Sequence, residues 1–153
     1  MNTPPFDLAV AQRWFAVELN NLAWDLVEAT TLSEAQAQRM IHAAHAACYF
    51  WLEAGDVLNH LRAQNLLATA YAKAGLGERA VYHAETCVEL SLEAGDRQTD
   101  FDRAVAYGCA ALAYRVAGKT ELAEKYFPLA RELAWKLRDA DEKSVFDRLY
   151  GGT

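Results

Sequence analysis

Long stretches rich in apolar residues alternate along the chain with short interruptions that contain glycine, aspartate, serine or threonine. No stretch shows the strict apolar–polar alternation of a half-buried strand, and proline is scarce, at 3 residues. The pattern predicts an all-α fold of about seven helices. They are expected at roughly 6–29, 33–54, 57–74, 77–94, 100–117, 119–138 and 141–150.

The helix ends carry local signals. Residues 31–34 and 33–36 both match a capping box before the second helix. Gly55 is expected to end that helix in a left-handed conformation, and Asp56 to cap the third helix. Pro128 lies inside the sixth helix and is expected to kink or loosen it, because proline lacks the backbone N–H.

An internal repeat links three parts of the chain. Leu-Glu-Ala-Gly-Asp at 52–56 recurs unchanged at 92–96, an offset of 40. A second offset, of 43, relates three residues of the third and fourth helices to three of the fifth and sixth. These pairs are Tyr71 and Tyr114, Gly75 and Gly118, and Ala80 and Ala123. Each tyrosine can wedge between two helices that the glycine joins in a tight reversal, and a small alanine lets the helices approach.

Ala68 and Ala111 lie three residues before the two tyrosines. With this spacing of alanine, tyrosine, glycine and alanine, residues 57–139 resemble two tetratricopeptide repeats of the longer variety. The string at 42–51 is similar to that of small bacterial repeat proteins, which imply no function. The resemblance implies a right-handed array of antiparallel helix hairpins, with 57–94 and 100–138 as repeat-like hairpins. We expect one domain over 1–153, with 6–54 as a divergent first hairpin and 141–150 as a terminal helix.

In such arrays the first helix of each hairpin lines a concave groove that binds a peptide. The resemblance therefore implies a non-enzymatic adaptor or regulatory module with a protein or peptide partner. Because several groove positions are cationic, an acidic ligand is expected. The alternative is that these residues form an ordinary solvated helix face. The expected groove residues are Arg62, Asn65, Thr69, Lys73 and Arg115.

The composition limits the classes of partner. The formal net charge of −6 disfavours nucleic acid and anionic membranes. There is no signal-peptide pattern at the N-terminus and no apolar run of about 20 residues. The three cysteines form no Cys-x-x-Cys motif and lie in apolar helical stretches. We therefore expect a cytoplasmic protein.

Histidine and cysteine supply the one candidate for metal chemistry. His42 and His45 lie one turn apart on the second helix, and Cys48 continues that stripe. His83 and Cys87 form a pair four residues apart on the fourth helix, at a comparable height in the stack. The alternative function is therefore a metal- or small-molecule-binding helical protein. The preferred interpretation is core packing, with no metal, no cofactor and no enzyme activity, because phosphate-loop and nucleophile-elbow motifs are lacking.

The first helix is apolar over more than one narrow stripe. A terminal helix normally presents a polar outer face, so a third hypothesis is homodimerisation or higher self-association through this helix. Alternatively, the seventh helix covers it. The apolar residues are Val10, Trp14, Phe15, Val17, Leu19, Leu22, Trp24 and Leu26.

Overall fold

The chain folds into α-helices joined by short turns. The computed structural model describes residues 3–152, and within this range no residue lies in a strand. Its seven α-helices confirm the predicted all-α class, and the first six agree with the predicted bounds to within three residues. The helices are α1 Leu8–Glu28, α2 Glu34–Ala54, α3 Val57–Lys73, α4 Gly77–Ala94, α5 Asp100–Val116, α6 Thr120–Trp135 and α7 Ala140–Phe146.

Two short elements of other kinds complete the chain. A 3₁₀ turn, Gly95–Arg97, follows α4. The predicted terminal helix is α-helical only as far as Phe146, and it then continues as a π-helical turn, Asp147–Gly151. Pro128 lies within α6, which continues past it without a break.

Local capping explains where several helices begin. Ser33 and Gln36 form the reciprocal capping box at the start of α2, and Asp56 caps α3. The left-handed conformation predicted for Gly55 is wrong, because its φ is −110°. Glycine is needed there for space instead, since a Cβ atom would lie 2.7 Å from the Trp51 carbonyl oxygen.

Consecutive helices pair as hairpins, α1 with α2, α3 with α4, and α5 with α6, and the hairpins stack side by side. Helices α1, α3 and α5 also contact one another in that order, and together they form one layer of the array. We call the surface of this layer the concave face. The main contacts of α7 are with the π turn and α5, so the end of the chain folds back over this face.

The predicted tyrosine wedges are present, because the ring of Tyr71 in α3 stacks on His83 of α4 at 5.4 Å and that of Tyr114 in α5 lies 5.3 Å from Tyr126 of α6. Tyr71 and Tyr114 are both buried in the core, which runs from Ala16 to Tyr150. The tight reversals after α3 and α5 use Gly75 and Gly118, whose φ values are 73° and 72°. The left-handed backbone conformation at these turns strongly favours glycine, because a residue with a side chain would be strained in it. Within residues 3–152, no helix is long and apolar enough to cross a membrane.

Candidate functional site

A cleft opens on the concave face between α1, α3, α5 and α7. Its volume is about 550 Å³, within the range of roughly 300–1,000 Å³ that is typical of ligand pockets. Aromatic and aliphatic side chains form much of its wall, and several polar groups point into the same space. The lining residues that matter below are Asn20, Trp24, Glu28, Trp51, Asn59, Arg62, Asn65, Phe101, Asp102, Glu142, Val145 and Leu149.

A bidentate ion pair joins α3 and α5 at the cleft. Arg62 of α3 donates from Nε and Nη2 to the two carboxylate oxygens of Asp102 in α5, at 2.8 and 2.9 Å. The Asp102 side chain is buried, whereas half of the Arg62 side chain is exposed. Thr99 also donates to Asp102, from its backbone N–H and its hydroxyl. Every hydrogen bond of the carboxylate therefore favours its ionised form.

These contacts determine the charge of Asp102. Burial raises the pKa of the carboxyl group, but the hydrogen bonds from Arg62 and Thr99 outweigh burial and leave the pKa below its ordinary value. Asp102 is therefore an anion at neutral pH, and it neutralises the guanidinium group that faces the cleft.

The middle of the concave face is filled by the chain's own end. We call residues 140–151, which comprise α7 and the π turn, the α7 segment. Its Phe146 and Tyr150 are 0% and 1% exposed. Their rings sit over Gly108 of α5, where a Cβ atom would lie 2.9 Å from two Tyr150 ring carbons. Glycine at 108 thus makes room for the α7 segment.

Two of the predicted groove residues hold this segment. Thr69 Oγ1 lies 2.8 Å from Tyr150 Oη, and Asn65 Nδ2 donates to the same oxygen at 3.0 Å. Asn65 also donates to the carbonyl of Val105. Asn65 lines the cleft as well, but Thr69 is buried beneath Tyr150 and cannot meet an external ligand.

The other cations of the predicted groove set lie outside the cleft. Lys73 donates from Nζ to the carbonyl of Ala29 at 2.7 Å, which ties the end of α3 to the end of α1. Arg115 lies in a separate depression between α5 and α6 and points toward the carbonyl of Gly152. Of the predicted set, the cleft therefore contains only Arg62 and Asn65. Lys73 and Arg115 lie in the last turns of α3 and α5, at the end of the concave face away from the cleft.

Of the histidines predicted as candidate ligands, His45 of α2 and His83 of α4 lie close together beside α3, where His45 is exposed and His83 is half-buried. His45 Nε2 is 2.7 Å from Tyr71 Oη, and His83 Nδ1 is 2.8 Å from Gln64 Oε1. The two imidazole centroids are 5.7 Å apart, and His42 lies exposed one turn away on α2. Among residues 3–152, no three His, Cys, Asp or Glu side chains are placed to hold a metal ion.

Charge is disfavoured in this histidine cluster. Burial, reinforced by His45 and Arg79, lowers the pKa of His83 to about 4. Burial, reinforced by His42 and Arg79, also lowers the pKa of His45. Both imidazoles are therefore neutral at pH 7, and each forms a hydrogen bond within the fold.

The sequence patterns missed most of the cleft. Asp102 was recognisable only as part of the Thr99–Asp102 cap of α5. A stronger signal existed, because Arg62 and Asp102 are 40 residues apart, the offset of the repeated pentapeptide. That offset could have placed the two residues at one height on neighbouring hairpins. Nothing comparable pointed to Phe101 or Glu142.

No family model matches this chain, and no curated protein or solved structure matches it either. The class of protein is therefore defined by the fold alone, as an all-α array of stacked helix hairpins. Its function is argued from the cleft.

Proposed function

We propose that this chain is a non-enzymatic recognition module that binds a short segment of a partner protein in the cleft. The observation that supports this is the cleft itself, with its walls of Trp24, Trp51 and Phe101 and the polar groups of Asn20 and Arg62. Apolar pockets with a few convergent polar groups are the usual form of a binding site.

A peptide is the favoured class of ligand because the same face already holds one. The α7 segment lies on α3 and α5 as a short helical stretch, anchored by Phe146 and Tyr150. The cleft continues this surface toward α1, so a second segment would lie beside the first. No histidine or cysteine is among the described residues that line the cleft, and two of its carboxylates, Glu28 and Asp102, are held in ion pairs. The resemblance to tetratricopeptide repeats remains a prediction that points the same way.

A peptide library provides the test. Peptides selected on the wild-type chain should bind at least 10-fold more weakly to Val145→Trp, because the indole would occupy the cleft. Leu92→Trp is the matched control, since Leu92 is exposed and lies outside the cleft. Fluorescence polarisation measures affinity, and thermal melts confirm that both variants fold. Equal affinity for all three proteins would disprove the cleft as the binding site.

Self-association through α1 is the second candidate, and one observation favours it. Val10 and Trp14 are 66% and 58% exposed. With Phe6, Ala11 and Phe15 they border a shallow apolar depression of about 450 Å³. Exposed apolar patches are often interaction sites. In sedimentation equilibrium, the mass should rise with concentration for the wild type and not for Trp14→Glu. A monomer at every concentration would eliminate this candidate.

We infer a cytoplasmic location from the cysteines. Cys48, Cys87 and Cys109 are all buried free thiols. Burial raises the pKa of Cys48, which disfavours the reactive thiolate. Three unpaired cysteines are compatible with a reducing compartment.

A further inference from the structure

The charges around the cleft do not cancel. Arg62 is neutralised by Asp102, with which it forms the bidentate ion pair. Glu28, on the α1 side of the cleft, is paired with Arg148 of the α7 segment at 3.0 Å. Glu142 has no ion-pair partner among residues 3–152. Among the charged side chains that line the cleft, one carboxylate, that of Glu142, is therefore left in excess.

In the part of the chain that the structure describes, no lysine, arginine or histidine nitrogen lies within ion-pair distance of Glu142. Its neighbour Lys143 borders a separate depression with Arg131 and Asp147. The charged groups that act on Glu142 are instead carboxylates. Partial burial and the nearby Asp139, Asp102 and Asp100 raise its pKa. A positive group entering the cleft would relieve this repulsion.

The aromatic wall suits a cation as well. Trp24, Trp51 and Phe101 line the same cleft as Glu142. The chain already uses one of these rings in this way, since the guanidinium carbon of Arg13 lies 5.8 Å from the centroid of Trp51. Aromatic faces attract ammonium and guanidinium groups.

We propose that the cleft binds an alkyl ammonium or guanidinium group, as carried by a lysine or arginine side chain. Glu142 pairs with the charged head, and the faces of Trp24 and Phe101 contact this head and its aliphatic stem. The proposal rests on the proposed function and specifies its ligand. It reverses the acidic ligand expected from the sequence, because Arg62 is neutralised and Lys73 and Arg115 lie outside the cleft.

Matched small probes test the class of ligand. We would titrate n-butylammonium, n-butylguanidinium, butyrate and butanol into the full chain, and follow the indole N–H signals of Trp24 and Trp51 by NMR. The two cations are expected to shift these signals at millimolar concentration and to bind at least 10-fold more tightly than butanol. Preference for butyrate, equal binding of butanol, or no shift with any probe would overturn the proposal.

Two variants locate the site of the charge. Glu142→Gln should weaken cation binding at least 5-fold, because it removes the unpaired carboxylate and keeps the shape. Glu89→Gln is the control, an exposed glutamate on α4 outside the cleft. Equal weakening by both variants would assign the effect to overall charge and overturn the site.

A final comparison separates the source of the cation from the function itself. A lysine-containing peptide that binds more tightly than 1,4-diaminobutane would identify a protein segment as the source, whereas the reverse order would identify a free polyamine. The first result supports the lysine or arginine side chain proposed above, and the second would overturn that source. Library peptides that lose affinity for Val145→Trp but lack lysine and arginine would overturn the cation and keep the recognition function. If the library yields no peptide that depends on the cleft, the proposed function fails.

Discussion

Tyr150 Oη lies 2.8 Å from Thr69 Oγ1, although the two residues are 81 positions apart in the chain. The contact joins the π turn to the C-terminal half of α3, and both residues are buried. It explains why a residue expected to meet a ligand is inaccessible. The α7 segment occupies the part of the concave face where the sequence predicted a peptide.

Removing the Tyr150 hydroxyl should test how firmly the α7 segment is held. Tyr150→Phe leaves Thr69 and Asn65 each with one fewer buried hydrogen-bond partner. We expect a loss of about 1–2 kcal/mol in the free energy of unfolding, measured by urea denaturation. Tyr49→Phe, at an exposed position, should change it by less than about 0.5 kcal/mol. Equal losses would contradict a specific anchor.

A methyl group at Gly108 should disturb the same segment sterically. In Gly108→Ala the Cβ atom would lie 2.9 Å from Tyr150 and 3.1 Å from Phe146. Overpacking of this kind lowers the free energy of unfolding by about 1–3 kcal/mol. This cost equals or exceeds the roughly 1 kcal/mol that alanine gains over glycine within a helix. We expect faster amide hydrogen exchange over 140–151. Gly108→Ala should cost less free energy of unfolding in a Tyr150→Ala background, where the ring is absent. An equal cost in both backgrounds would contradict the clash.

The ion pair between Arg62 and Asp102 should contribute more to stability than an exposed pair. Arg62→Ala leaves a buried carboxylate without its main donor, so a loss of about 1–3 kcal/mol is expected. Arg148→Ala breaks the more exposed pair with Glu28 and should cost about 0–1 kcal/mol. Urea denaturation of both variants gives the comparison, and a reversed order would contradict the structure.

The same pair predicts a dependence on acid. Because the pKa of Asp102 is lowered in the fold, its stabilising effect is present above the unfolded value of about 3.9 and is lost as the pH falls through the folded value. The stability difference between the wild type and Asp102→Asn should therefore shrink below about pH 4. Denaturation midpoints from pH 2.5 to pH 7 measure it, and a constant difference would contradict an ionised Asp102.

The histidine cluster predicts a second change at milder pH. The pKa of His83 is about 4 in the fold and about 6.5 in an unfolded chain. The unfolded state therefore binds more protons between these values, so stability falls as the pH drops from about 6.5 to about 4. The full shift would correspond to about 3.4 kcal/mol, and solvent screening at this half-buried side chain reduces the expected loss to on the order of 2 kcal/mol. Urea midpoints across this range should show a shallower slope for His83→Gln, and an identical slope would contradict the prediction.

The sequence alone determined the helices and most of their ends. These features depend on neighbouring residues, as in the capping box of Ser33 and the left-handed turns at Gly75 and Gly118. The tyrosine wedges were also readable, because the 43-residue offset marks equivalent positions in two hairpins. The left-handed conformation predicted for Gly55 was wrong because the glycine is required for space and not for its backbone angle. A side chain there would collide with the carbonyl oxygen of Trp51, one helix turn away.

Only the tertiary structure decided what the concave face holds. The surface that receives Phe146 and Tyr150 comes from helices far apart in the chain, so no local pattern describes it. The docked α7 segment buries Thr69 and closes one side of the cleft. The charge of the cleft has the same origin, because side chains from separate helices neutralise Arg62 and Glu28 and leave Glu142 unpaired within residues 3–152. Electrostatic pairing depends on distance in space. The 40-residue offset could have indicated the pair of Arg62 and Asp102, but no spacing along the sequence indicates that Arg148 pairs with Glu28.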